Sequence, residues 1–436
     1  MPSSAGPNTA GESNLAFAYD LGDIVNSYKG EPTTNNYGYN FRDFTGTGYS
    51  PDGEWTSEPT RFTKTYYPNL ATPIGPGATL IEESGVSGFH HLSRYGGSSE
   101  SGAHTLSCYL FPQSTGITEF CIGLLGDGGN MIVFNLDTRQ VSYGGGIANG
   151  NAIIQDVPGW PGWIRVGANF EGRAGGWVGS VGYRQYTTYT GTAGGKKCYI
   201  TGIQYEYQTH PTPFTAGTRS VTQGLVSLAT PSTIDLTDVS FDSTAQMTFD
   251  GTNDKIHGIN SIVSYLSSSA IEFIVTPTTV NKRMTVGGYR QNDGYSQPTI
   301  GMVYIQDDNT FNASVITTTQ VYRAVTSTTT ITANKTYHVV FNKDTSAGLM
   351  QLYVNGVLES TQTFDPNTYA QWATTGSYIG SNLLDLGKSN NTNAGQGWSS
   401  DFLAGKIPIF KLYSRTLLPS EVAQNYRAYK TRFNLA

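Results

Sequence analysis

The stretch FKLYSRTLLPSEVAQNYRAYKTRFN, residues 410–434, decides how the chain is read. Its opening runs on from an apolar-rich segment with strand character. From Pro419 onward, Val422, Tyr426 and Tyr429 recur at helical spacing. Ser420 stands where a helix N-cap accepts amide hydrogens, Glu421 near the positive end of the helix dipole, and Lys430 and Arg432 near its negative end. One amphipathic helix of about four turns is therefore expected to pack on the edge of whatever precedes it.

What precedes it reads as strand and turn. The 436 residues include 52 Gly and 28 Tyr, and 13% of them are charged, a composition that favours strands over helices. The length suits two to four domains, each able to bury a core. A net charge of −6 with scattered Lys and Arg argues against a phosphate-binding face, so nucleic acid is not an expected partner. No run approaches the ~20 apolar residues that cross a bilayer, and residues 1–14 have neither a basic n-region nor an apolar h-region, so neither membrane insertion nor a signal peptide is expected. Cys108, Cys121 and Cys198 lack the spacing of a zinc site or redox pair and are expected to be free core thiols. A Cys108–Cys121 bridge would need the two to face each other across neighbouring strands. Without a disulfide framework, the chain suits synthesis in a reducing cytosol.

Three parts follow along the chain. Residues 1–36 read as an arm, one strand and a linker: the first fourteen are too polar to bury anything and should be mobile unless a partner holds them. Residues 37–221 carry short apolar runs such as HTLSCYLFP, EFCIGLLG, MIVFNLD and GWIRVGANF between Gly, Pro, Asn and Asp, the pattern of a sandwich. Residues 222–436 restart it with AIEFIVTP, TIGMVYIQDDNTFNASVIT and KTYHVVFNKDTSAGLMQLYVNGVLEST. The expected fold is all-β, two β-sandwich (jelly-roll) domains, with a short C-terminal helix on the second. Residues 306–309 (QDDN) and Asn355-Gly356 sit between apolar runs as hairpin turns, which is the plain reading of Asp307 and Asp308 against a cation site.

From Gln246 onward the sequence resembles a laminin-G-like, concanavalin A-type lectin domain of tailed-phage virion proteins. The resemblance rests on MTFDGTNDKI, TYHVVFNKDTSAGLMQLYVNGVLEST, SYIGSN and the closing strand and helix, in that order. GWIRVGANF and CYITGIQYEYQTHPTPFTAGTRS resemble jelly-roll carbohydrate-binding modules, with Tyr205 replacing the usual Leu between Gln204 and Glu206. The segment LAFAYDLGDIVNSYKG resembles the leader of a lectin-like domain in such chains, which implies that the jelly roll interrupts that leader. The resemblance implies a virion surface protein, made in the host cytoplasm and displayed on the particle, with other virion proteins as partners through the N-terminal arm. Self-association and host surface glycan are further expected partners. No long heptad run marks a fibre shaft, which favours a compact appendage.

Three functional classes compete: a capsid-decorating or head-fibre protein, a host-receptor-binding tail or baseplate adhesin, and a glycan-cleaving enzyme. Cleavage needs two carboxylates across a cleft. Glu54 and Glu58 read as loop residues, Glu82 and Glu83 point to opposite faces of a strand, and Glu206 stands alone, so no catalytic residue is assigned. His90, His91 and His104 read as loop or edge residues rather than a metal cluster, and Asp127 as a turn residue. Binding suits the composition better, since sugars are held by aromatic platforms with amide and carboxylate neighbours. Tyr37, Tyr39, Trp160, Trp163, Tyr289, Tyr295 and Trp398 are the candidate glycan contacts, against the alternative that such rings fill cores and interfaces. Laminin-G relatives often hold calcium at one rim, which makes Asp250, Asn253 and Asp254 the candidate ligands; no cofactor is required and calcium is optional.

Overall fold

In the computed structural model the closing segment forms the strand Ala404–Tyr413 and then the helix Pro419–Phe433. The structure describes residues 12, 14–24, 26–34, 41–45, 62–88, 90–93, 103–124, 131–144, 152–170, 179–183, 189–229, 233–260, 268–291, 299–316, 322–365, 382–386 and 401–435. These residues are β-rich, with one α-helix among them.

The chain divides into two compact units. One spans Pro32–Arg219; the other takes the chain up to Glu31, Ser220–Asp242 and Gln246 onward. The leading strand Leu15–Asp20 therefore belongs to the second unit, where it pairs antiparallel with Ala404–Tyr413, Leu15 opposite Tyr413 and Asp20 opposite Ile409. Residues 21–31, set beside the arm as linker on sequence grounds, pack onto the same unit: Tyr28 is buried and bridges Leu225, and the Lys29 amide bonds Gly224 O at 2.9 Å. In the first unit Thr33–Thr34 pairs with Thr218–Arg219, so the chains entering and leaving the insertion run as antiparallel neighbours.

The second unit is a sandwich. Among the described residues, one sheet has eight strands with Ala404–Tyr413 and Ser269–Pro277 near its centre, and the other has six. Alternation sorts their side chains: Ile271, Phe273 and Val275 face the core with Phe410 and Leu412, while Ala270, Glu272 and Ile274 face outward. The helix covers that outward face through Val422 and Tyr429, both buried; Tyr426 is half-buried against His338 at 6.0 Å. The expected Ser420 cap is corrected: Leu418 is the N-cap, Pro419 opens the helix, and the Glu421 carboxylate accepts the Leu418 amide at 2.8 Å. The Pro ring fixes the first helical φ, which sets the start two residues earlier than a Ser420 cap implies.

Beneath the helix lies a buried polar cluster that the apolar pattern does not disclose. Glu272 Oε1 is 2.8 Å from His338 Nε2; its Oε2 accepts from Tyr413 Oη at 2.8 Å and Asn425 Nδ2 at 3.0 Å. Lys411 Nζ and Tyr413 Oη also reach back to Glu12, at 2.6 and 2.7 Å.

Among the described residues, the first unit is a second sandwich, five strands facing six. Leu106, Cys108 and Leu110 of the strand His104–Pro112 enter its core with Phe120, Ile122, Phe134 and Ile200. All three cysteines are buried free thiols, and Cys108 and Cys121 lie on different sheets. His90 lies buried in an edge strand, its ring edge-on to Phe62, and His104 opens the interior strand His104–Pro112.

Candidate functional site

The outward face of the six-stranded sheet in the first unit carries side chains that alternation turns away from the core. In register across four strands, Thr65 stands opposite Leu80, Leu80 opposite Tyr199, and Tyr199 opposite Phe111. One step along, Thr63, Glu82 and Lys197 form a parallel polar row; Tyr67 flanks the first strand on the other side. Leu80, Tyr199 and Phe111 are half-exposed, and Thr63, Thr65 and Tyr67 are exposed.

The rings are held by one another. Phe111 lies 5.4 Å from Trp163 and 6.2 Å from Tyr199, nearly parallel to both, and Tyr67 meets Tyr199 edge-on at 5.4 Å. Burial, followed by Tyr67 and Glu82, raises the Tyr199 phenol above its ordinary range. Trp163 is placed by a tight turn in which the Val157 amide bonds Trp163 O at 2.9 Å. Gly162 allows that turn at φ 84°; a Cβ there would stand 2.5 Å from a Phe111 ring carbon. Beside the rings, Lys197 Nζ pairs with Glu82 Oε1 at 2.6 Å, their side chains 39% and 21% exposed.

Of the residues singled out from sequence, the structure brings Trp160 and Trp163 to this face. Trp163 is 4% exposed, so it floors the cluster instead of offering an open ring, because the Gly162 turn tucks it onto Phe111. Trp160 packs half-exposed beside it. Tyr289 lies in the strand Met284–Gln291, its side chain outside the described set; Tyr37, Tyr39, Tyr295 and Trp398 lie outside the described residues, as do Glu54, Glu58 and Asp127. Tyr67, Leu80, Tyr199, Phe111 and Lys197 were not singled out. Period-two alternation in FTKTYY, ATLIEE and KCYIT would have turned them to one face.

Of the carboxylates considered for catalysis, the described ones, Glu82, Glu83 and Glu206, are engaged otherwise. Glu82 and Glu83 do lie on one strand; Glu82 faces Lys197, while Glu83 is buried and accepts the Lys196 amide at 3.4 Å. Glu206 accepts from Thr33 Oγ1 at 2.9 Å, from the Thr212 amide at 3.1 Å and from the Thr212 hydroxyl. Together with Gln204 Oε1, which takes the Thr215 amide at 2.7 Å, it pins the THPTPF exit to the sheet.

Asp250, Asn253 and Asp254 share one turn. Asp250 Oδ1 accepts the amides of Thr252, Asn253 and Asp254 at 2.7, 3.1 and 3.4 Å, and Asp254 Oδ2 those of Asp250 and Ser240 at 2.8 and 3.3 Å. Amide donors thus account for the folding of this turn. Asp308 likewise closes its hairpin on the Thr310 amide at 3.0 Å. Among the described residues no three His, Cys, Asp or Glu side chains are grouped to hold a metal, and no helix is long and apolar enough to cross a membrane.

Residues 250–423 match a laminin-G family model described as the concanavalin A-like lectin/glucanases superfamily. The second sandwich thus carries a lectin-type domain match over most of its length. No curated protein matches the chain. Similar solved structures include the binding domain of botulinum neurotoxin serotype G, 18% identical with a TM-score of 0.35, over 48% of this chain and 49% of that one. A SAP-like pentraxin from Limulus polyphemus is 15% identical with a TM-score of 0.30, over 40% and 78%. The CBM40 of Ruminococcus gnavus IT-sialidase bound to α2,3-sialyllactose is 15% identical with a TM-score of 0.30, over 36% and 82%. The chain spans about half the length of the neurotoxin domains it matches.

Proposed function

We propose that the protein is a non-enzymatic surface component of a tailed-phage virion that binds glycan through the aromatic face of its first sandwich. The observation that carries the binding role is the half-exposed row of Leu80, Tyr199 and Phe111, flanked by Tyr67 and bordered by the Glu82–Lys197 pair. Such a surface offers apolar area to sugar rings and donors and acceptors to their hydroxyls. The phage setting is supported by the ordered resemblance of the second sandwich to virion lectin domains, and it covers head decoration, head fibre and tail appendage alike. The engaged carboxylates support binding without cleavage.

The N-terminal segment is the proposed attachment to other virion proteins. Glu12 and Asn14 fasten its root: Asn14 O accepts the Ser414 amide at 2.8 Å, and Glu12 bonds Lys411 and Tyr413. Deleting residues 2–11, which keeps both contacts, is expected to preserve folding and abolish incorporation into particles; undiminished incorporation would move the attachment to a sandwich.

The glycan role is tested by screening the purified chain against a panel of bacterial surface polysaccharides. Binding that is lost in Tyr199→Ala and Phe111→Ala, with no release of reducing ends from any bound polysaccharide, is the expected result. Reducing-end release abolished by one Asp or Glu substitution would overturn the non-enzymatic reading.

A further inference from the structure

We infer, resting on the glycan-binding reading above, that the ligand of this face is a neutral, extended oligosaccharide lying across the strands, and that the Glu82–Lys197 pair is what turns acidic sugars away. The row Thr65, Leu80, Tyr199, Phe111 crosses four strands and ends against Trp163 at the head of a fifth, so at ~4.8 Å per strand it spans about 19 Å. A ligand that gains from all of it must be longer than a mono- or disaccharide and must run perpendicular to the strands.

Charge selects within that shape. Lys197 is a half-exposed cation beside the row, and it is already paired with Glu82 at 2.6 Å. Arg165 belongs to the same sheet face but is buried, held by Ser107 Oγ at 3.3 Å and by Thr212 O, with its guanidinium over the Tyr109 ring. A sialic or uronic carboxylate that took one of the remaining Lys197 donors would stand beside the Glu82 carboxylate, and like charges at that separation repel. A sugar hydroxyl meets no such conflict. The ammonium has three donors and Glu82 takes one, while both carboxylate oxygens retain lone pairs, so one neutral hydroxyl can donate and accept with the pair intact. The neighbouring Tyr67 and Tyr199 hydroxyls extend the same donor–acceptor surface.

The test is calorimetric titration of the full chain with neutral gluco- and N-acetylglucosamine oligomers of increasing length, and with sialyllactose and oligogalacturonate, at low and high salt. Neutral oligomers are expected to bind with affinity rising about tenfold from the disaccharide to the longest oligomer and little changed by salt. Glu82→Gln frees the ammonium and is expected to admit the acidic sugars with an affinity that falls as salt rises. Lys197→Gln removes the cation and is expected to admit none. Wild-type protein that prefers acidic sugars in a salt-dependent way overturns this inference and leaves the glycan-binding reading standing. Glu82→Gln that still rejects acidic sugars overturns the role of the pair. Absence of binding to any glycan in either panel defeats the inference and the reading together.

Discussion

Arg432, near the end of the closing helix, grips Asp20, the last residue of the first strand: Nη1 lies 2.6 Å from Oδ2 while Nη2 bonds Oδ1. The side chains are 16% and 11% exposed, so this two-pronged pair is largely out of water. Gly22 leaves room for it, since a Cβ there would collide with the guanidinium. Removing one partner strands the other's charge, and Arg432→Ala or Asp20→Asn is expected to cost about 2–3 kcal/mol, measured by urea unfolding. No loss in either variant would show that the pair does not fasten the helix to the strand.

Glu272 predicts a definite pH window. Burial alone would raise its carboxyl, but the His338 hydrogen bond, Lys411 and Tyr413 outweigh burial and bring it down from 4.5 to about 2. A depressed acid contributes stability that is fully present above the unfolded pKa and is lost as pH falls through the folded one. Stability should therefore fall between about pH 4.5 and 2, by on the order of 3 kcal/mol from this group. In Glu272→Gln that component of the acid limb should vanish, at the expense of lower stability near neutrality because Lys411 and His338 lose their partner. A variant with an unchanged acid limb would assign the transition to other carboxylates.

The two tyrosines of the helix should separate. Tyr429 is 1% exposed beside Ile274 and Ile409, and its truncation to Ala is expected to cost about 3–5 kcal/mol. Tyr426 lies half-exposed over Gly356, where a Cβ would come within 2.9 Å of its ring, and its truncation should cost clearly less. Equal losses of midpoint in denaturant titrations would contradict the burial difference.

Chelation is expected to leave the melting temperature of the protein unchanged. The Asp250 turn is closed by amide donors on both aspartates, so it does not need a cation to fold. A clear drop with EDTA, restored by calcium and absent in Asp250→Ala, would make the metal part of the fold.

How far the sequence could be read is clear from particular residues. The closing strand and helix were legible because alternation and a 3.6-residue period are local, as were the hairpin turns, where Asn309 and Asn355 take φ 65° and 49°. The pairing of Leu15–Asp20 with Ala404–Tyr413 leaves no comparable mark in a single sequence, since nothing local ties two strands so far apart. The Glu272 cluster was hidden for a related reason: a buried Glu looks like a surface Glu until His338, Lys411, Tyr413 and Asn425 converge on it. The aromatic face was half legible. Trp160 and Trp163 stood out as rare residues, whereas Tyr199 and Phe111 gain meaning from cross-strand register, which depends on the order in which the sheet is assembled.

That order has a consequence on the ribosome. Tyr19 donates its hydroxyl hydrogen to Ile407 O, a partner 388 residues later, so at ~5–20 residues per second the first strand waits roughly 20–80 s for the one it pairs with. During that interval the inserted sandwich emerges whole and can fold, while Phe17 and Tyr19 remain outside the core they are destined for. The lectin-type sandwich thus closes after the insertion, around the strand Leu15–Asp20. A nascent chain stalled before residue 404 should display a protease-resistant insertion between two sensitive flanks.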